Sequence, residues 1–450
     1  MPSAIWHSQA RPALVNGSPV NFTKDRDAQN GLITGSSIGG VSDSISYNGF
    51  AEPIGYDATF NGSSLYNVSY VRDAIGRISS KTETVNGVTT TFDYHYDLAG
   101  RLTGVDKNGI ASSTYTYDSN GNRLSYSGEL GSFSGTYDAQ DRLLSYGDFV
   151  YEYTANGELS KKTNVVTGEV WEYVFDVFGN LLYATLPNRT SVEFIVDAEN
   201  RRIAKKINGQ LVQGFLFKDK LRIVAELDAA GAVKSRFVFG PKGHVPDLMI
   251  KGGITYRFIT DNLGSIRSVV NVQTGLVVQQ IEYDAFGNVL DDSNPGFQPF
   301  GYAGGLYDSD TEMVRFGARD YAPWLGRWTA KDPMLFEGRS WNLFGYVIND
   351  PINRYDPTGL VDATACAKCL AKLSDDLKNP AITACENELK SCDTFDKQIE
   401  FADKYGGAYG TGSLGIAKRN CIVFKSMQAH RSVMSAMQDC MDCVGSSYHP

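Results

Sequence analysis

The chain has 450 residues, of which 42% are hydrophobic and 21% are charged, and its formal net charge is -9 at pH 7. This balance is typical of a folded protein with two or three domains and excludes an intrinsically disordered chain. The acidic charge argues against a nucleic-acid backbone as the main partner, and no apolar run approaches the length of about 18 residues that marks a transmembrane helix.

Residues 1–44 form a Gly- and Ser-rich segment ahead of the first clear repeat. The start of the chain lacks basic residues followed by an apolar stretch, so no signal peptide can be read from it. We therefore expect a secreted or cell-surface protein of this sequence to leave the cell by another route.

Residues 45–298 contain a repeated unit of an aromatic or apolar residue, then Asp, two further residues and often Gly, which Arg or Asn follows in several units. Units of this kind begin at Asp73, Asp97, Asp118, Asp138, Asp176, Asp197 and Asp284. A period of about 20 residues indicates a repeat architecture.

Each repeat unit predicts a pair of strands. Asp at the first position of a type I turn accepts a backbone hydrogen bond, and Gly at the fourth position supplies a positive φ. A second turn lies between successive units, at Asn-Gly or Thr-Gly pairs that begin at Asn86, Asn108, Thr167, Asn208 and Thr274. The sequence therefore predicts a mainly β fold, built as one long antiparallel sheet that has to curl to bury a face. The repeated Tyr and Asp are interpreted as scaffold.

The segment after the repeats contains two Asp-Pro units, Asp332-Pro333 and Asp356-Pro357, and the second ends in Gly359-Leu360. With the Tyr-Asp units and residues 260–267, the chain resembles the YD-repeat proteins of the RHS family, and residues 299–360 resemble the RHS-repeat-associated core domain. The resemblance implies a spiralling sheet of β-hairpins that forms a hollow shell, here a partial one. In the family this shell encloses a variable C-terminal polypeptide, often a toxin, which residues 361–450 would represent.

The resemblance also implies that the shell cuts its own chain, here between Leu360 and Val361. Two carboxylates that share one proton can hydrolyse an amide, since one activates water and the other protonates the leaving nitrogen. Asp332 and Asp356 are the candidate catalytic pair, and Arg327 is a candidate for orienting a carboxylate or holding the carbonyl oxygen. We expect a single-turnover autoproteolysis of the aspartate type, with no metal or other cofactor.

Two features of the sequence also fit a chain that does not cleave itself. Asp-Pro is a common turn, so both units also fit a purely structural role. The first unit has Leu335 where the family usually has Gly, and this replacement is expected to close off a positive-φ conformation.

Residues 361–450 read as a small α-helical domain that contains all seven cysteines. Disulfides are the favoured interpretation, with one pair of cysteines bridged to another. The six candidates are Cys366, Cys369, Cys385, Cys392, Cys440 and Cys443. A four-cysteine zinc site stays open as the alternative, and Cys421 is left without a predicted partner.

Two classes of function fit these features. In the first, the chain is a carrier that encloses its own C-terminal domain as cargo and releases it by self-cleavage, as an effector delivered to other cells. Its expected partners are then a secretion machinery and an immunity protein. In the second, the chain is a non-enzymatic surface protein that binds glycans or proteins and ends in an inert disulfide-rich tail.

Overall fold

The computed structural model describes residues 11–15, 18–240, 243–338 and 341–360. The chain divides into two compact units, residues 1–360 and residues 361–450. The second unit lies outside the described residues, and with it the predicted α-helical cysteine-rich domain. In the part of the chain that the structure describes, no helix is long and apolar enough to cross a membrane.

The first unit consists mainly of one antiparallel sheet of 27 strands, so the predicted mainly β fold is confirmed. Its first nine strands are β1 Arg11–Val15, β2 Ser18–Arg26, β3 Ile33–Ile38, β4 Val41–Tyr47, β5 Pro53–Phe60, β6 Ser63–Arg72, β7 Ile78–Val85, β8 Val88–Tyr96 and β9 Leu102–Lys107. The next nine are β10 Ile110–Tyr117, β11 Arg123–Gly128, β12 Gly131–Tyr137, β13 Leu143–Tyr146, β14 Phe149–Tyr153, β15 Leu159–Asn164, β16 Val170–Phe175, β17 Leu181–Thr185 and β18 Ser191–Val196. The last nine are β19 Arg202–Ile207, β20 Gln210–Phe217, β21 Ile223–Leu227, β22 Val233–Phe239, β23 Pro246–Lys251, β24 Ile254–Thr260, β25 Ile266–Asn271, β26 Val277–Tyr283 and β27 Val289–Asp292.

Each strand of this sheet pairs with the next strand in the sequence, so the chain runs as a continuous series of hairpins. One face of the sheet is buried, as β6 illustrates: Tyr66, Val68 and Tyr70 are buried, whereas the residues between them are exposed. Because side chains alternate between the faces of a strand, this pattern places the repeated aromatic residues in the core.

The Asp of each repeat organises its turn through both carboxylate oxygens. Asp97 Oδ1 accepts a hydrogen bond from the backbone N–H of Arg101 at 2.9 Å, and Asp97 Oδ2 accepts one from Arg101 Nε at 2.6 Å. The neighbouring Tyr96 hydroxyl donates to the carbonyl of Ile78 in the preceding hairpin, at 2.7 Å. The Asp therefore shapes its own turn and the Tyr joins successive hairpins, which gives both residues the scaffold role that the repeat pattern predicted.

The turns at the Asn-Gly pairs are shorter than the turns at the Thr-Gly pairs. Asn86 and Gly87 both have positive φ, +51° and +76°, as a two-residue hairpin turn of type I′ requires. At Thr167-Gly168 the turn is longer, since Asn164 Oδ1 accepts from the N–H of Thr167 and the N–H of Gly168 donates to the Asn164 carbonyl. The Thr-Gly pairs therefore mark turns, although their geometry differs from that of the Asn-Gly pairs.

The sheet curls until its early strands lie against its late ones. Ion pairs link Lys24 on β2 to Asp247 on β23, and Arg267 on β25 to Glu83 on β7, at 3.0 and 3.1 Å. The backbone N–H of Gly40 also donates to the carbonyl of Val272 at 2.8 Å. We refer to this contact region of β2–β9 with β23–β26 as the seam.

The segment that follows the sheet forms a small second sheet with an aromatic core. Its four strands are β28 Leu306–Asp308, β29 Met313–Phe316, β30 Arg319–Ala322 and β31 Arg327–Trp328. Three short 3-10 segments accompany them, at Tyr302–Gly304, Leu335–Gly338 and Val347–Asn349. Phe316, Tyr321, Trp328 and Tyr346 pack together, with the rings of Tyr321 and Tyr346 4.2 Å apart.

Residues 299–360, which we call the core segment, run along the edge of the sheet that carries the Asp turns. Four of its side chains reach those turns: Asn353 binds the N–H of Ile78, Asn349 binds the carbonyl of Gly121, Asn342 binds Asn122, and Arg315 binds Asn180. In these four contacts later residues of the core segment meet earlier repeats, whereas the carbonyl of Ile352 also accepts from Asn262 Nδ2 in a late turn at 3.1 Å. The segment covers one edge of the curled sheet and fixes successive hairpins relative to one another.

The sheet begins before residue 45, where the repeat pattern placed the first repeat. Strands β1 to β3 and the start of β4 lie within residues 1–44. The turn after β2 has one residue more than the pattern, since the N–H of Gly31 donates to the carbonyl of Asp27. At the next turn Asn48 replaces Asp and accepts the equivalent bond from the N–H of Glu52 at 3.0 Å. These variations hid the first repeats from the sequence pattern.

Candidate functional site

The two Asp-Pro units form turns of similar shape. Asp332 Oδ1 accepts a hydrogen bond from the N–H of Met334 at 2.8 Å, and Leu335 at the fourth position has a φ of +51°. Asp356 Oδ1 accepts one from the N–H of Gly359 at 2.9 Å, and Gly359 has a φ of +66°. Leu335 thus adopts the positive-φ conformation that the replacement of Gly by Leu was expected to exclude. Its side chain is 53% exposed.

Arg319 on β30 brings the two carboxylates together. Its Nη2 lies 2.8 Å from Asp332 Oδ2 and 3.6 Å from Asp356 Oδ2. The guanidinium group is buried and stacks on the ring of Trp328, with Cζ 4.2 Å from the ring centre. Since both distances end at the same nitrogen, the two aspartates form one cluster, which we call the Asp–Arg–Asp cluster.

Burial raises the proton affinity of both carboxyl groups. Removal from water raises the pKa of Asp356 to about 6, against the opposing effect of Arg319 and of the hydrogen bond from Thr358. Burial also raises the pKa of Asp332, and its closer contact with Arg319 opposes that rise. Arg319 lies closer to Asp332 than to Asp356, so the guanidinium group favours the charged form of Asp332 more strongly.

The end of the first unit lies directly on this cluster. Arg319 Nε donates to the carbonyl of Gly359 at 2.5 Å, and the N–H of Leu360 donates to Thr358 Oγ1 at 3.2 Å. The carbonyl of Thr358 in turn accepts from the N–H of Ala318 at 2.8 Å. The chain that leads to Leu360 is thus held beside β30, next to both aspartates.

Close packing of the backbone makes Gly359 necessary here. A Cβ at this position would lie 2.3 Å from the carbonyl oxygen of Phe316 and 2.8 Å from the backbone nitrogen of Arg319. Any side chain at Gly359 would therefore push the residues before Leu360 away from the Asp–Arg–Asp cluster.

Arg327, the arginine that the sequence analysis selected, lies elsewhere. Its Nη2 donates to the carbonyl of Asp141 in a repeat turn at 2.5 Å. Its guanidinium group lies over the rings of Tyr137 and Phe344, at 5.1 and 4.9 Å. In the structure Arg327 joins the core segment to a repeat, and Arg319 is the arginine that contacts both aspartates.

The sequence offered little to distinguish these arginines. Arg319 and Arg327 lie on neighbouring strands of the same small sheet. Which of them faces the aspartates depends on how the segment folds back on itself, and no local pattern reports that. Val361 and the six candidate disulfide cysteines lie beyond residue 360, outside the described part of the chain.

Comparison with known proteins identifies relatives of the first unit. The family model described as the teneurin YD-shell matches residues 13–352. Teneurin-4 of Homo sapiens is 30% identical over 306 residues, which cover 64% of this chain and 11% of that protein. The tRNA3(Ser)-specific nuclease WapA of Bacillus spizizenii is 24% identical over 298 residues, 65% of this chain and 11% of its own length. The chain thus spans about a tenth of these relatives.

Solved structures with the same fold include two that contain TcdB2 and TccC3. The crystal structure of TcdB2-TccC3-TEV has a TM-score of 0.54 at 17% identity, over 76% of this chain and 19% of that one. The structure of TcdB2-TccC3-Cdc42 has a TM-score of 0.52 at 16% identity, over 75% of this chain and 19% of that one. At these identities the match concerns the fold of the curled sheet.

Proposed function

The chain belongs to the teneurin YD-shell family, and on that premise we propose that it is a carrier which encloses residues 361–450 and releases them by cutting its own chain after Leu360. The released unit is an effector, a toxin used against other cells. The name of one relative, a tRNA3(Ser)-specific nuclease, supports this class of function.

The observation that carries the proposal is the Asp–Arg–Asp cluster beside the end of the first unit. A buried pair of carboxyl groups, one ionised and one protonated, is what the hydrolysis of an amide needs. Here the pair lies next to Gly359 and Leu360, at the boundary between the two units.

The roles follow from the different contacts of the two aspartates with Arg319. Asp332, ionised beside Arg319, takes a proton from a water molecule, whose oxygen attacks the carbonyl carbon of Leu360. Asp356, still protonated, gives its proton to the nitrogen of Val361 as the C–N bond breaks. The products are a carboxyl group on Leu360 and an amine on Val361. The reaction occurs once per chain, because each molecule contains one such bond.

Electrophoresis of the purified chain under denaturing conditions tests the proposal. Residues 361–450 are a fifth of a chain of 49.3 kDa, so cleavage should give a fragment of about 10 kDa whose first residue is Val361. N-terminal sequencing of the fragment identifies the bond. A single intact band from correctly folded protein would support the alternative, a non-enzymatic surface protein that binds glycans or other proteins.

The proposed role also predicts where the protein acts and with which partners. A carrier of this kind has to leave the cell that makes it, so we expect a secretion machinery as one partner. If residues 361–450 are toxic, the producing cell needs an immunity protein against them. Growth of a host that expresses residues 361–450 alone, compared with the full chain, tests toxicity directly.

A further inference from the structure

We propose that a cavity of about 220 Å³ between β10–β15, the turn after β26 and the core segment binds a small aromatic carboxylate. The cavity lies away from the Asp–Arg–Asp cluster and shares no lining residue with it. Its chemistry differs from that of the rest of the core in three ways, which concern its walls, its cations and its hydrogen-bond donors.

The walls of the cavity are mostly aromatic rings. They come from Tyr115, Tyr126, Phe133, Tyr146, Phe149 and Trp324. Neighbouring rings touch one another, with centre-to-centre distances of 5.4 Å for Tyr115–Tyr126 and 5.6 Å for Phe133–Tyr146. Aromatic walls of this kind favour a flat apolar ligand that can stack or meet a ring edge.

Two cations line the cavity, and neither forms an ion pair with a carboxylate among the described residues, although Asp284 lies near Arg123 and Glu312 near Lys162. Arg123 is 5% exposed, and its Nε and Nη2 have no hydrogen-bond acceptor among the described residues. The Lys162 ammonium group contacts the rings of Trp171, Trp324 and Phe149, at 4.0, 4.9 and 5.1 Å, rather than a carboxylate. Burial lowers the pKa of Lys162 to about 8, so it is mostly charged at neutral pH. Buried charges are costly unless they are paired, so an anion in the cavity would stabilise both cations.

The acidic residues of the cavity do not fill that role. Asp284 already accepts hydrogen bonds from the N–H groups of Phe286 and Asn288 and from the Asn288 side chain, at 2.7 to 2.9 Å. Burial also raises the pKa of Asp284, which weakens it as a counter-ion. Glu312 is exposed at the rim of the cavity.

The remaining polar atoms of the cavity are mainly donors. The hydroxyl of Tyr146 has no hydrogen-bond partner among the described residues, the Tyr115 hydroxyl lies beside Ser113, and the Tyr151 hydroxyl and the Trp324 indole N–H lie beside each other. A ligand that satisfies them has to be rich in acceptors, and a carboxylate offers two oxygens with about four acceptor sites. Ring walls, two cations and an excess of donors together select an aromatic carboxylate. Exposed Leu130 and Glu312 line the same cavity, so it reaches the surface.

Calorimetric titration of the full chain with benzoate tests this proposal. We expect saturable binding with a Kd of about 1 mM or lower, and binding at least tenfold weaker for acetate and for benzyl alcohol, which each lack one half of the ligand. Absence of saturable benzoate binding overturns the proposal. Tighter binding of glucuronate than of benzoate overturns the choice of an aromatic ligand in favour of an acidic sugar.

Variants of residues that line the cavity show whether benzoate binds there or elsewhere on the protein. Lys162→Gln should weaken benzoate binding about tenfold or more, whereas Lys161→Gln should not change it, because Lys161 is paired with Glu152 at 3.1 Å and does not line the cavity. Tyr146→Phe, which removes one unpartnered hydroxyl, should weaken binding by roughly fivefold to tenfold. Equal affinities for wild type, Lys162→Gln and Tyr146→Phe would show that benzoate binds elsewhere.

Arg123→Met provides an independent check. The replacement removes the guanidinium group, which lies 3.9 Å from the centre of the Phe286 ring, so benzoate binding should be lost and the melting temperature should fall slightly. Unchanged benzoate binding to a folded Arg123→Met variant would contradict the proposal. If this variant does not fold, Lys162→Gln carries the test.

Discussion

Two carboxyl groups share Arg319, and the proposed reaction needs both of them. Asp332→Asn removes the base and Asp356→Asn removes the acid, while Asn keeps the ability to form the turn. Either replacement should lower the rate of fragment release at least 100-fold, as measured by the 10 kDa band over time.

Asp350 supplies a matched control for both variants. It also precedes a proline, is buried, and accepts a hydrogen bond from Asn353 Nδ2 at 2.7 Å, yet it has no contact with Arg319. Asp350→Asn should leave cleavage unchanged. If Asp332→Asn and Asp356→Asn still release the fragment at the same bond, the aspartate mechanism is wrong.

The rate of cleavage should depend on pH through the same two groups. Above a pH of about 6 Asp356 loses its proton, so the acid is missing and the rate should fall. Below the pKa of Asp332 the base is missing, so the rate should fall again on that side. A time course of fragment release at several pH values should therefore give a bell-shaped profile. A rate that rises steadily above pH 6 would contradict the assignment of Asp356 as the acid.

The same ionisation affects stability, with a sign that follows from the raised pKa. The folded state holds the Asp356 proton more tightly than the unfolded chain does, where the usual value is about 4. The contribution of Asp356 to stability is therefore complete below a pH of about 4 and is lost as pH rises through about 6. Asp356→Asn should lack this loss in urea titrations across that range.

Leu335 carries backbone strain that glycine would remove. A non-glycine residue in the left-handed region costs about 1 to 2 kcal/mol, so glycine at position 335 would remove this strain. Glycine also has more conformational freedom in the unfolded chain, which offsets part of the stabilisation. Leu335→Gly should thus raise the free energy of unfolding by up to about 1 kcal/mol and leave the rate of cleavage close to that of the wild type. A marked loss of stability would mean that the half-exposed Leu335 side chain contributes more by packing than the strain costs.

At the scale of elements, Arg327 on β31 contacts a repeat turn, so a change at Arg327 tests the packing of the core segment separately from the cleavage reaction. Arg327→Ala removes the bond to the Asp141 carbonyl and the contacts with two aromatic rings, so it should lower stability by about 2 to 3 kcal/mol. Because Arg327 lies away from the aspartates, cleavage by the folded variant should slow less than tenfold.

Arg319→Lys is the comparison for that experiment. Lysine keeps the charge but cannot contact both aspartates and the Gly359 carbonyl with a planar group, so cleavage should fall far more than in Arg327→Ala. If Arg327→Ala slows cleavage as strongly and without loss of stability, Arg327 acts on the reaction itself.

The elements that could be predicted from the sequence are those whose geometry is set within four or five residues. Asp97 and Gly100 determine a turn by local hydrogen bonds and a positive φ, and such turns in series imply the hairpin sheet. The turn at Asp27 was missed because of its extra residue. The partnership of Arg319 with Asp332 and Asp356 could not be predicted, since it joins positions brought together only by packing of the core segment.

At the scale of the whole molecule, the seam holds the curl closed, and Arg257 is its central cation. Arg257 is 7% exposed and pairs with Asp43 at 2.5 Å and with Asp247 at 3.7 Å. Arg257→Ala leaves two buried carboxylates without this partner, so it should lower stability by about 3 to 5 kcal/mol. Hydrogen exchange should then speed up in β2–β4 more than in β10–β18.

A surface pair gives the matching control for Arg257→Ala. Lys206 and Glu193 lie 3.0 Å apart but are 31% and 24% exposed, so Lys206→Ala should cost less than about 1 kcal/mol. Uniform acceleration of exchange over the whole sheet in Arg257→Ala would indicate that the seam does not open separately.

The reversed order of contacts between the core segment and the repeats has a consequence for timing during synthesis. A ribosome makes the early hairpins first, and these can pair with their neighbours as they emerge. The core segment emerges last, yet its final residues bind the earliest of the turns it contacts, as Asn353 does with the N–H of Ile78. Arg319, Asp332 and Asp356 lie within this last segment, so they are synthesised after every hairpin of the sheet. Under the proposed mechanism, release of the fragment therefore reports a chain whose hairpins have all been synthesised.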